Sequence, residues 1–176
     1  DCKSFDEVLQ RVKDFVTLHP NEPWIRGRGW DQNKFPGQEF PDNHILNELF
    51  PDKPVLLGRV DGHAAIANQT ALNLAGIKAG DKLTGGLIEV KTGRLTGILI
   101  DNAVGLVAAR IPATSATDYE KWLEAAQKKC FAVGLTTVED CGLDYKTILL
   151  IDSLQKNSKL KMRIYAMLSD NKKDLD

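Results

Sequence analysis

Four short apolar runs, "WIRGRGW" (24–30), "PVLLGRV" (54–60), "LTTVEDCG" (135–142) and "KMRIYAML" (161–168), are separated by stretches in which apolar residues recur at helical spacing. Alternation of this kind restricts a chain to a few architectures, because strands joined through helices pack as a parallel sheet covered by those helices. "PVLLGRV" lacks a clean in/out alternation and reads as a strand buried on both faces, the usual signature of a parallel sheet. About four such strands are too few for an eight-stranded barrel. The expected fold is therefore α/β, either a small open domain or a piece of a barrel.

The helices are marked by periodicity and by their ends. "SFDEVLQRVKDFV" places Phe5, Val8, Leu9, Val12, Phe15 and Val16 on one stripe behind a Ser4–Glu7 capping box. "NHILNELF" carries Ile45, Leu46 and Leu49 at helical spacing and stops at the Pro51–Pro54 break. "NQTALNLAGI" starts at Asn68 and ends at Gly76; the sequon Asn68-Gln69-Thr70 is read as a cap and not as a glycosylation site. "DNAVGLVAARIP" is a short helix ended before Pro112. A second capping box, Thr117 with Glu120, opens a helix carrying Tyr119, Trp122, Leu123, Ala126, Cys130 and Val133, closed by Gly134. "YKTILLIDSLQKN" is the last helix. Residues 85–100 form two β runs about Lys91-Thr92-Gly93-Arg94, a hairpin inserted into the alternation. No repeat interrupts the chain, so residues 1–176 are treated as a single α/β domain with a polar, frayed end, "DNKKDLD".

Composition removes several functions. A formal net charge of −1, with basic residues spread along the chain, leaves no footprint for nucleic acid. No apolar run is long enough to span a membrane, and no basic-then-apolar segment opens the chain; because the chain is expected to start inside a longer protein, this leaves the location of that protein unknown, with the cytoplasm favoured. Cys2, Cys130 and Cys141 form no C-x-x-C or Cys/His cluster and read as small buried hydrophobes. His19, His44 and His63 make neither H-x-H nor H-E-x-x-H, so no metal ligand set is expected within the chain. Phosphate-loop, dinucleotide and serine-hydrolase motifs are absent.

Polar residues gather at three strand ends: Trp30 and Asp31, then Arg59, Asp61 and His63, then Glu139 and Asp140. Asp31 and Asp140 also suit loop anchoring, and Asp61-Gly62 is a turn signature. Three functional side chains within five positions at the mouth of a buried strand nevertheless suggest a ligand cleft, because an arginine there must be paired or open to solvent. Arg59 is placed to clamp a substrate carboxylate or to hold Asp61, and His63 to donate to a substrate oxygen. The expected substrate-binding set is Trp30, Asp31, Arg59, Asp61, His63 and Asp140.

"WIRGRGWDQNKFP", "PDKPVLLGRVDGHAAIANQTALNLAGI", "GGLIEVKTGRLTGIL", "GLTTVEDCG" and "MRIYAML", in this order, resemble the YtcJ-like branch of the amidohydrolases (amidohydrolase family 3), which includes N-substituted formamide deformylases. The resemblance covers nearly the whole chain. It implies a partial TIM (β/α) barrel, taken from a metal-dependent enzyme that hydrolyses non-peptide carbon–nitrogen bonds of small amide-type substrates. A bound divalent metal, zinc expected, would activate water and polarise the carbonyl. The resemblance places the metal ligands of such an enzyme outside this sequence, so the chain is expected to be an inactive internal fragment that self-associates through open sheet edges. The alternative is a free-standing α/β ligand-binding module that keeps the cleft without the catalysis. A weaker third is a small enzyme using Asp31, Asp61, His63 and Asp140.

Overall fold

A computed structural model describes residues 2–169, so the polar end 170–176 lies outside the described residues. The sequence reading treats 1–176 as one domain; the contacts gather into two compact units, Asp1–Pro112 and Ala113–Asp176.

The first unit begins with α1 (Phe5–Leu18), which buries Val8, Leu9 and Val12. Ser4 Oγ accepts from the Glu7 amide at 3.2 Å, but the Glu7 carboxylate accepts from the Lys3 amide and not from that of Ser4, so only half of the capping box closes. The strands are β1 (Ile25–Trp30), β2 (Val55–Arg59), β3 (Ala64–Ala67), β4 (Gly86–Lys91) and β5 (Arg94–Asp101), in the sheet order β1-β2-β3-β5-β4. β1 pairs with β2 in parallel, and every other pairing in this sheet is antiparallel. Helices α2 (His44–Leu49), α3 (Gln69–Ala75) and α4 (Asn102–Ala108) complete the unit.

This corrects the expectation of about four parallel strands in one sheet. The fold is mixed α/β with a mostly antiparallel main sheet. The four apolar runs do pair in parallel, but as two separate couples, β1 with β2 here and β6 with β7 in the second unit. "PVLLG" lacks alternation because both faces of this mostly antiparallel sheet are covered. Val55, Leu57, Ile66 and Ile98 face the α1 and α2 side, while Leu56, Ala65, Ala67 and Leu99 face α3 and α4. Two-sided burial, not strand direction, erases the polar positions.

Two buried asparagines join the layers. Asn68 accepts from the amides of Val55 (2.9 Å) and Ala71 (3.0 Å) and donates to the carbonyls of Phe50 and Lys53 (both 2.8 Å), capping α3 as the sequence suggests. Asn43 donates to Ala67 O at 3.0 Å. Gly97, at φ +88°, lets these strands close: a Cβ there would lie 2.4 Å from Ala67 O and 2.7 Å from the Asn43 Cβ. Thr92 and Gly93 both have positive φ and form the tight β4–β5 turn.

The second unit holds α5 (Ala116–Ala132), β6 (Thr137–Leu143), α6 (Tyr145–Lys156) and β7 (Arg163–Leu168). Ile151, Leu154 and Leu160 form its core with Leu123, Leu143 and Ile164. The cap of α5 is Ser115, whose Oγ accepts from the Asp118 amide; the expected Thr117–Glu120 box does not form, and Glu120 instead takes a hydrogen bond from Lys159 at 2.5 Å. Cys2 and Cys130 are half-buried, whereas Cys141 is exposed, contrary to the buried reading. Among the described residues no helix is long and apolar enough to cross a membrane.

Candidate functional site

β1 and β2 run side by side, so their carboxyl ends, Trp30 and Arg59, are register partners. The chain leaving β2 does not run directly into the helix that begins after Asn68. It turns through 60–63, with Gly62 at φ +81°, and returns as β3. The crowding of Arg59, Asp61 and His63 is thus a property of a hairpin turn. Asp61 organises it: its Oδ1 accepts from the His63 amide at 3.1 Å, and its two oxygens receive Arg59 Nε and Nη2 at 2.9 and 2.7 Å. The guanidinium lies 5.6 Å from the centre of the Phe40 ring, and the Arg59 side chain is only 19% exposed. Its hydrogen bond holds the Asp61 carboxyl below its ordinary value, with help from the His63 amide.

Trp30 lies beneath this turn at 3% exposure. Its Nε1 donates to Leu57 O at 2.8 Å, and its ring meets Phe40 edge-on. It also borders a cavity of about 470 Å3 between α1 and β1, walled by Val8, Val12, Ile25 and Leu57, with Arg11 and Arg28 in its polar lining. Of the candidate residues, Trp30 alone borders that cavity. Asp31 caps a short 3-10 turn, Gln32–Lys34, by accepting from the Asn33 amide at 3.0 Å. Asp140 is exposed on β6, in the second unit.

One residue of this constellation escapes the sequence reading. Asp101 ends β5 and places Oδ1 2.8 Å from His63 Nδ1, with side-chain exposures of 49% and 72%. The only sequence signal is an aspartate closing an apolar strand, a placement that reads just as well as a helix cap. Arg59, Asp61, His63 and Asp101 come together at one end of the sheet. They contain one histidine and two carboxylates, and among the described residues no group of three or more histidines, cysteines and carboxylates is arranged to hold a metal ion. A divalent metal therefore does not fit this residue set by itself.

The fold is a mixed α/β body with a polar cluster of Arg59, Asp61, His63 and Asp101 at one end of its main sheet. The sequence profile of the amidohydrolase family matches residues 1–175, and this chain belongs to that family. It is similar to the putative amidohydrolase YtcJ of Bacillus subtilis (strain 168), 36% identical over 144 residues, which cover 81% of this chain and 27% of the relative. It is also similar to the N-substituted formamide deformylase of Arthrobacter pascens, 31% identical over 158 residues (84% and 29%). The crystal structure of an uncharacterized metal-dependent hydrolase from Pyrococcus horikoshii superposes with a TM-score of 0.63 at 25% identity, over 95% of this chain and 31% of that one. The chain spans about a quarter of the length of the curated relatives it matches.

Proposed function

We propose that this chain is an internal segment of a longer metal-dependent amidohydrolase that cleaves non-peptide carbon–nitrogen bonds in small amide-type substrates. In this reading the chain contributes part of a (β/α) barrel, the β4–β5 hairpin is an insertion, and the catalytic divalent ion, zinc, is held by residues elsewhere in the longer protein. A single observation carries the reading: the family profile runs from one end of the chain to the other, although the chain equals only about a quarter of its relatives. When bound, the ion supplies an activated water and a polarised carbonyl.

The residues of this chain orient and exclude. The forked pair of Arg59 with Asp61 sets the turn, and Trp30 and Phe40 support it from below. His63 is the exposed group available to a ligand. Asp31 and Asp140 stay proposed as lining residues at the ends of β1 and on β6. Among the described residues β1 and β4 are the edge strands of the main sheet and β6 and β7 each have one unpaired edge; with the exposed Leu135, Tyr165 and Met167 they favour self-association of the isolated chain.

The test is a zinc titration of the purified chain at neutral pH, followed by sedimentation across concentrations. Weak, non-stoichiometric zinc binding and a concentration-dependent mass are expected. One tightly held ion per chain would overturn the proposal that the metal ligands lie elsewhere. In the full-length protein, Arg59→Ala should lower kcat/KM by about 10- to 100-fold, the scale of an ångström-level misplacement. Unchanged kinetics would remove the turn from the site.

A further inference from the structure

Asp101 occupies the N-cap position of α4, where an aspartate ordinarily accepts from the first free amides of its helix. It makes no such bond. Its backbone is also unusual, at φ +50° and ψ −120°, the corner conformation of a type II′ turn that glycine adopts most readily. Such a residue persists only where its surroundings fix it. Here they do: Asn102 N donates to Gly85 O at 3.1 Å and Asn102 Nδ2 to Thr84 O at 2.9 Å. A Cβ on Gly86 would come 2.7 Å from Ala103 N, so the two segments are in close contact. The Asp101 amide donates to His63 O at 2.8 Å, and the carboxylate reaches the same residue's ring at 2.8 Å. Residue 101 thus departs from both its local options, the cap and an unstrained backbone, and its carboxylate ends on one imidazole nitrogen.

We infer that Asp101 is a positioning residue that fixes neutral His63 as the Nδ1–H tautomer and presents a bare Nε2 to the ligand. A carboxylate only accepts, so the shared proton sits on Nδ1, and a neutral imidazole then has its lone pair on Nε2. The consequence for recognition reverses the sequence expectation. Neutral His63 does not donate to a substrate oxygen; it accepts from a donor hydrogen, and the matching ligand feature is an N–H, such as that of an amide or of an amine product. The ligand assignment rests on the proposed placement of the hairpin turn at the site, whereas the tautomer is a property of this chain alone.

The experiment is 15N NMR of the imidazole nitrogens in the 176-residue chain, in buffer alkaline enough for neutral histidine, with thermal denaturation alongside. In the unsubstituted chain, His63 Nε2 should resonate as an unprotonated nitrogen and Nδ1 as a protonated one. Asp101→Gly relieves the backbone and removes the acceptor, so the melting temperature should hold or rise while the Nδ1–H preference is lost. Asp101→Asn, whose amide can donate as well as accept, should give a mixture of tautomers and serves if the glycine variant does not fold. A protonated Nε2 in the unsubstituted chain, or an unchanged tautomer in the variants, overturns the inference. If the tautomer behaves as expected while His63→Ala leaves the full-length protein's kcat/KM unchanged, the positioning of His63 stands and only the placement of the turn at the site fails.

Discussion

Replacing Asn68 by alanine tests whether the sequon residue is the main fastener of the first unit. The side chain is fully buried, at 0% exposure, and makes four hydrogen bonds to backbone groups of three segments. Truncation leaves the amides of Val55 and Ala71 without their acceptor, at about 1–3 kcal/mol each for buried donors. The carbonyls of Phe50 and Lys53 lose one partner each, at roughly 0.5–1.5 kcal/mol apiece. The loss of the α3 cap overlaps with the Ala71 contribution, so the expected destabilisation is about 4–6 kcal/mol, a large part of the roughly 5–15 kcal/mol that holds a typical domain. At about 4 °C per kcal/mol for a unit of this size, the melting temperature should fall by ~15–25 °C. Urea and thermal unfolding followed by circular dichroism read both quantities. A fall below about 5 °C would refute the reasoning, since it would mean that water or a local shift satisfies all four groups at little cost. Asn68→Asp sharpens the test: it keeps both acceptor bonds but turns a carboxylate toward two carbonyls, so its deficit should grow as pH rises.

Gly97→Ala should cost several kcal/mol, roughly 1–3 from overpacking against Ala67 O and Asn43 and about 1–2 from positive φ, whereas Gly105→Ala, in open space within α4, should stabilise by about 0.5–1 kcal/mol. Equal effects in a paired unfolding experiment would contradict the packing argument. Asp61, Asp118 and Asp144 are each held below their ordinary value of 3.8, chiefly by hydrogen bonds from Arg59, Ser115 and Thr147. The unfolded chain therefore binds more protons in acid, and the stability these groups contribute is complete above that value and lost as pH falls through their lower folded values. The substitution Asp144→Asn should flatten this acid limb in unfolding curves taken from neutral pH downward, and an identical limb would show that the Thr147 bonds contribute nothing.

Much of the molecule was readable from local sequence. The stripe from Phe5 to Val16, Asn68 and Gly76 at the ends of α3, and the Thr92-Gly93 turn each state their structure within a few residues, because helix periodicity, capping and tight turns are short-range physics. Arg59, Asp61 and His63 were readable as a cluster for the same reason. β3 was not: "AAIA" is four residues without alternation, made mostly of the strongest helix former, and it becomes a strand only because Leu57 and Leu99 lie on either side of it. The cap of α5 slipped by two residues, since Ser115 and Thr117 are chemically equivalent caps and Ser115 pairs with Asp118 three positions on, accepting from its amide and donating to its carboxylate.

The sequence by itself determined where the chain is helical, where it turns, and that a polar group stands at the end of the second apolar run. Family membership was likewise legible in "GWDQ" and "RVDGHAA". Tertiary structure alone decided that the run continues as a hairpin, that the main sheet is mostly antiparallel and covered on both faces, and that Trp30 is a buried support. It alone brought Asp101 to His63, 38 positions away in the chain. Strand pairing and side-chain contacts at that separation depend on which surfaces the folded chain brings together, and no local propensity encodes them.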